Sequence, residues 1–308
     1  MQVSKCETYV QVGDEKILLP GKSMLAFTNV PNRGTILLPR LVDWYEPIQN
    51  SQYAQVLDTL TPKYQVAGVT LCGRYGQILA VQLKMDGFNI GGLEEEEHKA
   101  FLLVMENRET GEKQYGGVYT RVVCENTVNA AMNEKGDRGL PNGTDAFEIL
   151  QLRTQIEEKV LENRLGYIAS MNHLFKTKVQ EDKMDAILNK LFVDPKGTPK
   201  VQQMTNVASA MDIKPTDTVE RKSIRSANLQ RNAVDRNARH RTAIKEAYVQ
   251  VCDEFPAIAG TEYAFFQAIT GHVNHSPEYK SAQDKDTLNL LFGTKADTQR
   301  NAMALLLK

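Results

Sequence analysis

The sequence predicts an α+β fold, a β-rich N-terminal half packed with a helical C-terminal half. Two observations carry that expectation. Strand-length runs of apolar and β-branched residues, separated by glycine-containing turns, fill roughly the first 125 residues. Beyond them the apolar period lengthens to that of a helix. The composition, 42% hydrophobic and 24% charged, is that of a chain able to build a core. The predicted division is a β-rich domain over residues 1–135 and a mainly helical region over residues 136–308.

The elements follow in chain order. Tyr9 to Val12, the turn Gly13-Asp14 and Ile17 to Leu19 form a predicted hairpin. Thr35 to Leu38 is a strand that the pattern ends at Pro39. Tyr64 to Leu71 and Ile78 to Leu83 flank the turn-like cluster Gly73 to Gly76. His98 to Asn107 and Gln114 to Cys124 form a third hairpin about Thr110 to Lys113. The run Glu94 to Glu97 between strands reads as a solvated loop or helix start. A cation site is the sharper alternative, although its spacing is not that of oxygen ligands. Gly91-Gly92 and Gly116-Gly117 read as turn or hairpin glycines.

A short helix is predicted over Asn126 to Asn133. A long one follows the capping spacing of Asp145 and Glu148, with Phe147, Leu150, Leu152, Ile156, Val160, Leu161, Leu165 and Ile168 near helical period. Asp182 to Leu191 is another, and Asp194 to Pro199 breaks the pattern. A third long helix starts near Asp217 and runs towards Val251, where Phe255-Pro256 stops it. Glu262 to Val273 and Lys295 to Leu307 complete the set.

The N-terminal residues lack the basic start and apolar run of an export signal. No stretch approaches eighteen consecutive apolar residues, so no membrane contact is expected, and the expected location is the cytoplasm. Cys6, Cys72, Cys124 and Cys252 lie far apart and form no Cys-x-x-Cys pair, which suits reduced thiols. No Walker loop, nucleophile elbow or metalloprotease motif is present. The expectation is therefore a non-enzyme, with no catalytic residues, metal or cofactor.

Three stretches carry a resemblance. They are Tyr119 to Ala131, with Arg121, Cys124, Asn126 and Thr127; Gly260 to Thr270, followed by His275; and the closing segment Asp297 to Leu307. Together they resemble the phage/plasmid-like proteins of the family called domain of unknown function 932, from about residue 15 to the C-terminus. The resemblance implies a shared fold and residence on a mobile element. It implies no chemistry.

Around the first stretch, the predicted strand gives way to a helix, and Asn126 or Thr127 would cap that helix. A functional alternative makes the same junction an anion site, with Arg121 beside the helix N-terminus. A thiol site at Cys124 is weaker, because no histidine is near in sequence. His272 and His275 share a helix face, but two imidazoles do not complete a zinc site.

The strongest functional signal is the helix from Glu220 to Lys245. It carries eight Lys or Arg residues against Glu220 and Asp235, a local charge of +6 in a chain whose net charge is −1. Arg221, Arg225, Asn228, Asn232, Arg236 and Arg239 fall within about 80° of one another at helical pitch, over about 27 Å. A stripe of guanidinium and amide groups suits a phosphate backbone. A solvated face, or one paired with a neighbouring subunit, is the plainer alternative. Tyr115, Tyr119, Trp44 and Tyr45 are the aromatics that would stack bases, although each also suits a core or rim position.

The reading with the furthest reach is a nucleic-acid-binding protein of a phage or other mobile element. It would act in single-strand annealing, recombination or replication, with DNA as partner (single-stranded favoured), as a homo-oligomer. The alternative is a non-enzymatic interaction protein that inhibits or redirects a host defence or host enzyme. A hydrolase or transferase centred on Arg121, Cys124 and Asn126 is a third, lacking a recognisable acid–base pair.

Overall fold

A computed structural model of the chain describes residues 2–30, 34–42, 54, 58, 64–72, 78–107, 112–121, 127–132, 146–195, 219–276 and 293–308. Strands dominate the N-terminal half and helices the C-terminal half, so the class is α+β. The chain divides into two compact units. One comprises Met1–His173 with Asn274–Arg300, the other Leu174–Val273 with Asn301–Lys308.

The first unit holds two antiparallel sheets. β1 (Gln2–Val12), β2 (Glu15–Val30) and β3 (Gly34–Val42) lie in that order in a three-stranded sheet. Val12 pairs with Glu15, which leaves Gly13-Asp14 as the predicted two-residue turn, and Gly13 takes the left-handed conformation (φ +62°) that favours glycine. Pro39 does not end β3, which continues to Val42. β4 (Gln65–Cys72), β5 (Ile78–Asn89), β6 (Glu97–Asn107), β7 (Glu112–Arg121) and β8 (Thr127–Met132) form a five-stranded meander.

β8 corrects the sequence reading. The segment expected to begin a short helix pairs instead with β7, Thr120 opposite Thr127 and Gly116 opposite Met132. Helix propensity in Asn-Ala-Ala gives way to the open hydrogen-bonding edge of β7. Gly116 and Gly117 sit inside β7 rather than at a turn, and a Cβ at Gly117 would overlap the Tyr119 side chain. Gly91 and Gly92 do occupy a turn, both with positive φ.

Alternation along the meander builds two faces. Ala80, Leu103, Met105 and Val118 cluster on one, with Ile78 and Phe101 packed against them. The other carries Leu83, His98, Ala100, Leu102, Tyr119 and Arg121, all buried. Helix α1 (Ala146–Lys176) contributes Tyr167, which stacks on Tyr119 with centroids 4.3 Å apart and meets Phe88 and His98 edge-on at 6.0 Å. The Asn172 side-chain oxygen accepts the Gly91 amide at 2.8 Å. Burial pushes the Tyr119 hydroxyl up to about 12. Burial first, and the Arg121 charge second, hold His98 down to about 4, so its ring is neutral at neutral pH.

Arg121 is enclosed on this same face. Its Nε donates to Glu96 Oε2 at 2.7 Å and its Nη2 to Glu96 Oε1, a bidentate pair with both side chains at most 2% exposed. Glu96 ends the one-turn 3-10 segment Glu94–Glu96, so the glutamate run is split: Glu94, Glu95 and Glu97 face solvent, while Glu96 turns inward to a guanidinium.

The second unit is helical. It contains α2 (Glu181–Leu191), α3 (Val219–Glu254) and most of α4 (Glu262–His275). α4 is buried continuously from Glu262 to Thr270, as its near-uniform apolar sequence requires. Thr261 caps it by accepting the Ala264 amide at 3.1 Å, after Gly260 in the left-handed region (φ +73°). Glu262 is buried and pairs with Lys183 at 2.6 Å. The Gly-Thr-Glu stretch is thus a capped and charge-paired helix start. α5 (Thr294–Leu306) closes the chain. Among the described residues, no helix is long and apolar enough to cross a membrane.

Candidate nucleic-acid interface

α3 forms because Arg, Ala, Gln, Lys and Glu predominate along a stretch with no Gly or Pro over 36 residues. It stops at Glu254, where Phe255-Pro256 begins a 3-10 turn. At about 1.5 Å per residue it is about 54 Å long. Its two faces differ in what they touch.

The inner face is committed to its own unit. Ile244 is fully buried, and Asn237 donates to Val193 O at 2.9 Å and to Asp194 Oδ1 at 3.2 Å. Arg241 donates to Phe192 O at 2.7 Å and pairs with Asp194 at 3.0 Å. The hydrogen bond from Arg241, with that from Asn237, holds the Asp194 carboxyl below its usual range. Lys245 pairs with Asp185 of α2 at 2.6 Å. Arg241 and Lys245, both cations of the basic segment, are therefore engaged within the unit.

His240 also faces inward. It stacks on Phe192 at 5.0 Å, and its Nδ1 lies 2.8 Å from Nε2 of His272. His272 thus meets His240 on another helix, and His275 is exposed. Among the described residues no group of three or more His, Cys, Asp or Glu side chains is gathered as a metal site would need.

The outer face carries the predicted stripe. Asn228, Asn232, Arg236 and Arg239 are all exposed, as is Arg231 at its margin. Among the described residues Arg231 and Arg236 have no ion-pair partner. Arg221 and Arg225 lie on the first turns of α3, with side chains outside the described set. Asp235 is exposed beside the stripe, and further along Glu246, Asp253 and Glu254 are exposed too. The face is basic towards its N-terminal end and acidic towards its C-terminal end.

Arg121 belongs to the other unit and is sealed against Glu96, so its charge is already neutralised. The strand-to-helix junction imagined for it is not formed, because Thr127 opens β8. Asn126, Cys124, Trp44 and Tyr45 lie outside the described residues. Tyr119, one of the candidate stacking aromatics, is buried in the cluster with Tyr167. The residues that sequence reasoning missed, Glu96, Asp194 and His240, are partners supplied from 25 to 47 positions away, and no local pattern marks them.

No curated protein and no solved structure matches the chain. A family model does match, over residues 40–292, most of its length. The chain belongs to the family described as domain of unknown function DUF932.

Proposed function

We propose that this chain is a non-enzymatic nucleic-acid-binding protein of a phage or related mobile element. It would work in the host cytoplasm in single-strand annealing, recombination or replication. The observation that carries the reading is the outer face of α3. Asn228, Asn232, Arg236 and Arg239 are exposed in helical register there, while the opposite face is occupied by packing and ion pairs. Guanidinium groups in line on a rigid helix meet phosphates bidentately, and side-chain amides add neutral donors. The binding is electrostatic and little dependent on base sequence. Single-stranded DNA is the favoured ligand.

The test is a titration of the whole protein with single-stranded and duplex DNA at two salt concentrations. Binding is expected to weaken steeply with salt, and Arg225→Glu with Arg236→Glu to reduce it at least tenfold at low salt. A flat salt response, or no binding at low salt, rejects the proposal.

One observation favours a second reading. The acidic end of the same face, Glu246, Asp253 and Glu254, gives α3 a bipolar surface better suited to a protein of mixed charge than to a long polyanion. The partner would then be a host protein. Recovery of one such protein at fixed stoichiometry, unaffected by the double charge reversal and unaccompanied by DNA binding, would favour it.

A further inference from the structure

β1 is an edge strand. It pairs with β2 on one side and has no strand partner on the other among the described residues. An edge of this length presents a row of backbone donors and acceptors, and proteins blunt such edges with proline, with bulges or with charges that repel a second copy; the one irregularity in the pairing of β1 with β2 lies between Glu7 and Tyr9. β1 contains no proline. Its two charges, Lys5 and Glu7, are opposite in sign and flank Cys6. The strand is therefore complementary to itself.

In an antiparallel pair about a two-fold axis, residue i meets j and j meets i. An axis at Cys6 sets Lys5 opposite Glu7 of the second copy, and Glu7 opposite Lys5 of the second copy. Ser4 then meets Thr8; the pairing of β1 with β2 shifts register between Glu7 and Tyr9, so the proposed contact is confined to Ser4–Thr8. Moving the axis one residue either way sets Lys5 against Lys5 or Glu7 against Glu7, and like charges directly opposed are destabilising. The charges thus select one register. Glu7 is already held in an exposed position, since the Tyr9 hydroxyl donates to Glu7 Oε2 at 2.7 Å.

The same end of the sheet is also apolar in an unusual place. Tyr9 and Val10, 51% and 41% exposed, stand opposite Leu18 and Ile17, 44% and 47% exposed. Tyr9 with Leu18 lies on one face of the hairpin and Val10 with Ile17 on the other, so each face carries an exposed apolar pair near the open edge. We propose that the chain forms a two-fold homodimer in which β1 pairs antiparallel with β1 of a second copy about Cys6. This joins two three-stranded sheets into one of six strands. The dimer is independent of any nucleic-acid binding.

Cys6 is a free thiol and partly exposed, and it reports the register directly. Directly opposed residues of an antiparallel pair have Cα atoms about 4.5–5.5 Å apart, within disulfide reach. Sedimentation of the full chain, without DNA, is expected to give twice the 34.6 kDa chain mass. Mild copper–phenanthroline oxidation is expected to yield a covalent dimer that Cys6→Ser abolishes and Cys252→Ser does not. Glu7→Lys should weaken the dimer roughly tenfold or more, since it places like charges opposite each other twice. Lys5→Glu combined with Glu7→Lys restores complementarity and should recover it. A single-chain mass throughout the concentration series overturns the proposal. So does a dimer that remains cross-linkable without Cys6, or one that Glu7→Lys leaves at wild-type strength.

Discussion

Arg121 shows how much a single residue's meaning depends on its neighbours. In sequence it is a cation beside a distinctive motif, and Glu96 is one of four consecutive glutamates. The pairing of His98 with Arg121 across β6 and β7 brings them together on the covered face of the sheet. A bidentate ion pair in such a place is not a large net source of stability, because both ions lose water. Removing one partner is another matter. Glu96→Gln is expected to cost about 3–5 kcal/mol, because the guanidinium is left without its counter-charge. Replacing both, Glu96→Leu with Arg121→Met, should cost less than either single substitution. Urea denaturation midpoints of Glu96→Gln, of the singles Glu96→Leu and Arg121→Met, and of the double variant measure this. A double variant as unstable as the sum of the singles would show that the pair does not act as a unit.

At the scale of elements, α3 separates the work of folding from the work proposed for its surface. Ile244 is fully buried, and its truncation to alanine is expected to cost about 2–5 kcal/mol through lost packing and the cavity left behind. Arg236 is exposed, and Arg236→Ala should change stability by no more than about 0.5 kcal/mol. Thermal or urea unfolding of the two variants tests the contrast. Equal losses would mean that the outer face is also structural. The long helices were legible because period and stop signals agree: apolar spacing in α1, Phe255-Pro256 at the end of α3, and Gly260-Thr261 at the start of α4. β8 was not legible, because its only instruction is the edge of β7, which exists once the meander has formed.

For the whole molecule, a net charge of −1 means that non-specific attraction to a polyanion is not expected from the chain as a body. The binding proposed for α3 would come from that one surface rather than from total charge. Two Arg→Glu changes on α3 take the net charge from −1 to −5, and so do Lys84→Glu and Lys99→Glu at exposed positions of the five-stranded sheet. The first pair should abolish most DNA binding and most of its salt dependence, and the second should leave both near wild type. Equal losses in the two double variants, measured by titration at matched salt, would assign the effect to total charge rather than to the α3 stripe.

The sequence by itself determined the α+β class, the hairpin at Gly13-Asp14, the positions of the long helices and the phase of the basic stripe. Each depends on residues close together along the chain, where a period of two or of 3.6 and a turn residue state which side faces inward. Tertiary structure alone decided which charges remain outside. Arg121 meets Glu96, Arg241 meets Asp194 and Lys245 meets Asp185, while Arg236 is left in solvent. The physical reason is that a charge's availability is set by whatever folding brings against it, and those partners come from distant parts of the chain.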